Sequence, residues 1–197
     1  MKRFLDILLS SVTLLVLSPF FIIISIIIML ESKGGVFYKQ VRVGKGNKDF
    51  ELLKFRTMKE GSDSHGLLTL GSNDARITPF GCFLRKYKLD EFPQLINIIK
   101  GEMSIVGPRP EVRKYADLYD DNQREVLTVR PGLTDYASIK YIDESDILAK
   151  ADDPEEKYIH EIMPHKIELN LHYIRNMSVK EDFRIIGRTL WSISQKE

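Results

Sequence analysis

The chain has 197 residues, room for one domain with its own core and an appended element. Its 29 Lys and Arg against 28 Asp and Glu give a formal net charge of +1. That excludes nucleic-acid binding driven by bulk charge, so no nucleic acid is expected as a partner and any basic function must come from local clusters. Cys82 is the only cysteine, which rules out an internal disulfide and fits a reducing compartment. Between Gly81 and Phe83 it reads more readily as a buried small residue than as a nucleophile.

The first element is apolar. Ile7 to Leu30 carries no charge over 24 residues. As a continuous helix it would measure about 36 Å, longer than the roughly 30 Å hydrocarbon core of a bilayer. The run is too long for a secretory signal and has no small-residue cleavage site after it, so it reads as a retained anchor over 1–33. Ser18-Pro19 falls mid-run, where proline removes a backbone donor. Both flanks are basic, Lys2 and Arg3 before and Lys33, Lys39, Arg42, Lys45 and Lys48 after, which places both on the cytoplasmic side. A helix broken at Pro19 that dips into one leaflet and returns fits these facts; a kinked single span is the alternative.

Residues 34–197 form the second part. Segments 36–44 and 49–58 alternate and are rich in β-branched and aromatic residues, which predicts two short strands joined by the turn "KGNK". A polar, glycine-rich loop follows over 60–74. Thr78-Pro79 then reads as an N-cap with proline at the first helical position, and Phe80, Phe83, Leu84 and Tyr87 form one helical stripe. The spacing restarts with Phe92, Leu95, Ile96 and Ile99 and stops at Gly101. Asp90 and Glu91 therefore stand at the junction of two helices, at the positive end of the second. Residues 111–128 read as a polar helix, 130–139 as a turn into a short strand or loop, and 154–177 as a charged helix interrupted by Pro164. In "EDFRIIGRTLWSI", Phe183, Ile186, Leu190 and Ile193 share a face, which suits either an interfacial helix or one docked on the core. The fold class expected is α+β: a re-entrant membrane helix, then a mostly helical cytosolic domain with a small β element and interfacial amphipathic helices.

Asp90 is expected to be held ionised by Arg85, Lys86, Lys88 and backbone donors. An ionised carboxylate can attack phosphorus, and a neighbouring one can hold Mg²⁺. The plainer reading of the pair is a capping acid with a solvated neighbour. Arg109, framed by Pro108 and Pro110, is pre-oriented to fork onto phosphate. Lys54 and Arg56 alternate with Phe55 and would offer a second basic edge. The four histidines have no convincing metal-ligand spacing, and no Walker loop, dinucleotide fingerprint or serine-hydrolase elbow is present.

Taken together, the broken apolar segment, "KFRTM", "LRKYKLDEFPQLINIIKGEMSIVGPRPE" and "VRPGLT" closely resemble the bacterial sugar transferases, the small monotopic phosphoglycosyl transferases that start surface-glycan assembly. The likeness covers nearly the whole chain and is densest over 34–139. It implies a re-entrant break at Ser18 and Pro19, Asp90 as covalent nucleophile, and Glu91 in support, with Asp90 and Glu91 holding Mg²⁺. It further implies phosphate contacts from Arg85 and Arg109, with Lys54 and Arg56 beside them. The implied reaction moves a sugar 1-phosphate from a UDP-sugar to undecaprenyl phosphate at the bacterial inner membrane, facing the cytoplasm. Membrane lipids are expected partners, and a homodimer is compatible. One departure stands out: many members read Pro-Gly-x-Thr-Gly-Trp where this chain has Asp135-Tyr136, and "ASIKYIDESD" differs too. The rival reading is a membrane-tethered, non-catalytic scaffold for nucleotide-sugars or lipid phosphates.

Overall fold

In the computed structural model, residues 1–59, 61 and 74–195 are described. Most of the loop read over 60–74 therefore lies outside the described residues. The architecture is α+β, mostly helical around two small two-stranded sheets.

Helix α1 runs from Lys2 to Glu31 with Pro19 inside it. The backbone stays helical through the expected break at Ser18-Pro19, and a local hydrogen bond explains how. Proline cannot donate to the carbonyl four residues back, which is Leu15, and Ser18 Oγ donates to that carbonyl at 2.8 Å instead. The amphipathicity of α1 is inverted. Asp6 and Ser10 are buried against the domain, whereas Leu15, Val16, Phe20 and Leu30 face outward. It is the one helix among the described residues long and apolar enough to cross a membrane.

Both ends of α1 are fastened to the rest of the chain. At the start, Lys2 Nζ donates to Asp182 Oδ2 at 2.7 Å, and the Asp6 carboxylate accepts from Ser104 Oγ at 2.8 Å and from the Ile105 amide at 3.2 Å. At the other end the Arg56 guanidinium donates to the carbonyls of Ser32 (2.7 Å), Ile28 (3.3 Å) and Lys33. In between, Leu14 packs on the cluster of Leu52, Leu95, Ile98 and Met103, and Phe21 and Ile24 pack on Phe55 and Leu84.

Strands β1 (Phe37–Val43) and β2 (Asp49–Phe55) pair antiparallel, with Tyr38 opposite Lys54. Their turn uses Gly46 and Asn47 at positive φ, as "KGNK" implies. Helix α2 spans Pro79–Lys86 and is capped by Thr78, whose Oγ1 accepts from the Gly81 amide at 3.0 Å; Gly81 and Leu84 are its buried positions, so Cys82 is exposed and not the buried residue expected. Helix α3 (Gln94–Lys100) ends at Gly101 in the left-handed region. Its Asn97 is fully buried and replaces a third strand: Oδ1 accepts from the Leu53 amide at 3.0 Å and Nδ2 donates to the Glu51 carbonyl at 2.7 Å. This amide fixes α3 against β2, and thus Glu91 against Lys54.

Strands β3 (Ser104–Val106) and β4 (Gly132–Thr134) form the second, parallel pair. The long polar helix expected over 111–128 is instead a short helix α4 (Arg113–Ala116) and a 3₁₀ segment Gln123–Thr128. Residues 130–139 supply β4 and then α5 (Tyr136–Lys140). Helices α6 (Glu144–Ala149) and α7 (Pro154–Lys157) lead to α8 (Met163–Arg175). Pro164 does not break the run, because a π turn over Tyr158–Ile162 widens the backbone where the proline ring would meet the His160 carbonyl. Helix α9 (Val179–Ser194) docks on the core through Asp182 and Ile185 and leaves Phe183, Leu190 and Trp191 exposed.

Candidate active site

The helix α2 ends at Tyr87, and Lys88 takes a left-handed backbone (φ 57°), uncommon for a residue with a side chain. That reversal starts the 3₁₀ turn Leu89–Glu91 and directs both carboxylates inward. Asp90 and Glu91 are only 6% and 7% exposed, which removes the solvated-surface reading of the pair. They line a cleft of about 870 Å³ together with Lys54, Arg85 and Arg109. Five of the six residues expected at the chemistry and phosphate positions line it, and they come from four separate segments: β2 for Lys54, α2 for Arg85, the 3₁₀ turn for Asp90 and Glu91, and the loop after residue 106 for Arg109. Arg56 does not join them. β2 stops at Phe55, the side-chain alternation with Lys54 stops with it, and the guanidinium caps the end of α1.

The two acids are held very differently. Glu91 takes a bidentate fork from Arg109, with Nη1 donating to Oε2 at 3.2 Å and Nη2 to Oε1, and Lys54 Nζ donates to Oε1 at 3.2 Å. Burial alone would push Glu91 upward, but the Arg109 and Lys54 charges overcome it and hold the carboxyl well below the usual range. The same pairing raises Arg109 above the ordinary guanidinium value, Glu91 being the main cause. Lys54 moves the other way: burial lowers it, and Glu91 offsets only part of that.

Asp90 Oδ1 is buried with no hydrogen-bond partner. Burial raises its carboxyl above the ordinary aspartate value, Lys54 and Arg85 oppose that shift, and Glu91 reinforces it. This corrects the expectation that flanking cations keep Asp90 comfortably ionised: desolvation is the larger effect. Arg85 is itself lowered by burial and donates through Nε to Thr57 Oγ1 at 2.8 Å.

The Pro-Arg-Pro loop is fixed from behind. The Gly132 amide donates to the Pro108 carbonyl at 2.8 Å, and the Gly107 amide to the Thr134 carbonyl at 3.1 Å. A Cβ on Gly132 would lie 2.1 Å from the Gly107 nitrogen, so no side chain fits at this crossing. Asp135 completes the support: Oδ2 accepts from the Arg109 amide at 2.9 Å and Oδ1 from the Ser138 amide at 2.5 Å. The acid that departs from the family pattern is thus spent on backbone donors and caps α5. Arg42 was missed as a site residue. It lines the cleft, donates to the Pro110 carbonyl at 3.1 Å and lies 3.5 Å from Glu111, which also accepts from Tyr158. Only its place in the β1 alternation could have pointed to it.

Among the described residues no group of three or more His, Cys, Asp or Glu side chains is arranged to hold a metal. Mg²⁺ commonly takes one or two carboxylates and completes its shell with water and substrate phosphates. The orphaned buried oxygen of Asp90 beside Glu91 suits that partial donor set.

A buried acidic pair thus lies among cations on a domain that also carries an outward-facing apolar helix. The chain belongs to the bacterial sugar transferase family, whose model matches residues 1–196. It is 37% identical, over 98% of its length, to the UDP-N-acetylgalactosamine-undecaprenyl-phosphate N-acetylgalactosaminephosphotransferase of Aeromonas hydrophila, covering 43% of that protein. It is 35% identical to the UDP-glucose:undecaprenyl-phosphate glucose-1-phosphate transferase of Escherichia coli, over 97% of this chain and 39% of the relative. To the exopolysaccharide production protein ExoY of Sinorhizobium fredii it is 34% identical, over 96% of this chain and 83% of the relative. The chain thus spans less than half the length of the first two relatives and most of the third.

Proposed function

We propose that this protein transfers a sugar 1-phosphate from a UDP-sugar to undecaprenyl phosphate, releasing UMP, with Asp90 as the covalent nucleophile. The observation that carries this reading is the division within the acidic pair: Glu91 is tied to Arg109 and Lys54, while Asp90 keeps a buried, unpartnered oxygen in the same cationic cleft. An Asp90 oxygen attacks the sugar-bearing phosphorus, the bond to the UMP oxygen breaks, and UMP leaves. A phosphate oxygen of the lipid then attacks that phosphorus, the bond to Asp90 breaks, and the free carboxylate returns. Arg85, Arg109 and Lys54 neutralise phosphate charge as it shifts between donor and acceptor. Glu91 orients the guanidinium of Arg109 for that task. Asp90 and Glu91 would hold Mg²⁺, which supplies neutralisation of the diphosphate oxygens when bound. The test is UMP release by purified protein given a UDP-sugar and undecaprenyl phosphate. Binding of both substrates without any UMP would sink the enzyme reading and leave a scaffold.

The same reading sets α1 into the cytoplasmic leaflet of the inner membrane. A 30-residue helix is about 45 Å long, yet its two ends contact one domain, which supports flanks on a common side. In a Cys82→Ser background, Arg3→Cys and Lys45→Cys should show equal protection from an impermeant thiol reagent in intact cells. Opposite protection would mean that α1 crosses.

A further inference from the structure

The cleft continues past Arg109 to a second end, walled by α5, α6 and α8. Two buried polar atoms there have no hydrogen-bond partner: Ser138 Oγ on α5 and Asn170 Oδ1 on α8, the asparagine being 5% exposed. Beside them Lys166 Nζ donates to Glu144 Oε2 at 2.7 Å, so the lysine at this end is already paired, and Asp143 and Asp146 also line it. Glu144 is also among the charges acting on Arg109, so this end lies within electrostatic reach of the phosphate cations. One end of the cleft is therefore cationic, and the other offers an uncharged amide, a hydroxyl and a neutralised ion pair.

We propose that Ser138 and Asn170, with the Lys166–Glu144 pair beside them, form the subsite that reads the sugar ring of the nucleotide-sugar. This rests on the transferase reading and names the part of the substrate that the far end takes. Sugar hydroxyls both donate and accept, which suits an orphaned amide oxygen and an orphaned hydroxyl. A further phosphate would need unpaired cations, which this end lacks. The relatives point the same way. Two of them name a common UDP and a common undecaprenyl phosphate but different sugars, N-acetylgalactosamine and glucose. Sugar contacts are what must differ between such proteins. Ser138 lies on α5 and Glu144 on α6, and Asp135 fixes α5 by capping it.

The test compares wild type with Ser138→Ala and Asn170→Leu. Rates of UMP release are measured on UDP-glucose and UDP-N-acetylgalactosamine, alongside inhibition by UMP, which has no sugar, and the melting temperature. The ratio of kcat/KM between the two sugars should change at least tenfold in one variant or both, with the UMP inhibition constant held within about twofold. Equal weakening of UMP inhibition would assign the pocket to the nucleoside and overturn the proposal. No change in either ratio would overturn it too, leaving two orphaned atoms that serve only bound water. Ser138→Ala removes one atom that bonds nothing, so it tests the proposal even if Asn170→Leu misfolds. If the wild type releases no UMP from any donor, the transferase reading fails by itself. Calorimetric binding of UDP-glucose and UDP-N-acetylgalactosamine then decides the subsite: affinity that differs between them and changes tenfold with Ser138→Ala upholds it, and insensitivity overturns it.

Discussion

Asp90→Asn is expected to lower turnover by on the order of 10⁴-fold or more, the scale seen when a covalent nucleophile is removed, while raising thermal stability at neutral pH. The two effects share one cause. Asp90 is buried with an unpartnered oxygen, and burial lifts its carboxyl above the ordinary value of 3.8. The folded chain therefore holds this proton more tightly than the unfolded chain does. Stability falls as pH rises from about that ordinary value through the folded one, and the whole loss is present above both. Asparagine keeps the shape without the charge and escapes that loss. The gain in melting temperature should be largest near neutrality and fade as pH falls toward 3.8. Melting curves across pH, with intact mass after exposure to UDP-sugar alone, check both halves. Wild type should carry the added sugar phosphate under quench conditions that preserve acyl phosphates, and the variant should not. A variant that melts lower than wild type at neutral pH would remove the buried-charge account, and normal turnover would remove the nucleophile.

Glu91→Gln should do the reverse to stability. Two cations converge on this carboxylate, and removing one partner of a buried pair costs about 3–5 kcal/mol because the remaining charges stay desolvated. The sign with pH is also opposite. Glu91 is held well below its ordinary value of 4.5, so its contribution is complete above that value and is lost as pH falls through the folded one. Wild type should therefore lose stability on acidification below about pH 4.5 more steeply than the variant, and the two curves should converge there. Denaturant unfolding in detergent at several pH values measures this. Turnover should fall as well, since Arg109 loses the partner that orients it, and excess Mg²⁺ should recover part of the rate only if Glu91 also meets the ion. A variant as stable as wild type at pH 7 would show that the Glu91 cluster is not formed in solution.

The site was more legible in the sequence than the scaffold around it. Asp90, Glu91 and Arg109 sit in segments whose prolines and helix stripes fix the local backbone, so their exposure to one cavity follows from short-range rules. Lys54 and Arg56 show where those rules stop. Alternation put both on one face, but it holds only while the strand continues, and β2 ends between them. The raised Asp90 carboxyl was misjudged for a related reason. Neighbouring cations are visible in a sequence, whereas desolvation depends on burial by distant segments. Arg42, Glu111 and Tyr158 come from three separate stretches and meet only in the folded chain, so no spacing announces them. The break expected at Pro19 followed correctly from the missing donor and overlooked the acceptor's other option, the neighbouring Ser18 hydroxyl.

The fastening of Lys2 to Asp182 joins residues 180 positions apart, and it has a consequence for timing. At ordinary translation speeds of about 5–20 residues per second, roughly 10–40 s separate the synthesis of the two partners. Through that interval Lys2 lacks its Asp182 partner. Nor, until β3 has been made, does Asp6 have its donors at Ser104 and Ile105. A nascent α1 is thus a greasy rod whose charged first turns have not yet met their folded-state partners, free to sample more than one placement at the bilayer. Its final posture is decided late, when α9 arrives and captures Lys2. Biogenesis of this protein should accordingly be sensitive to anything that delays or removes its last helix, even though that helix contributes no residue to the acidic pair.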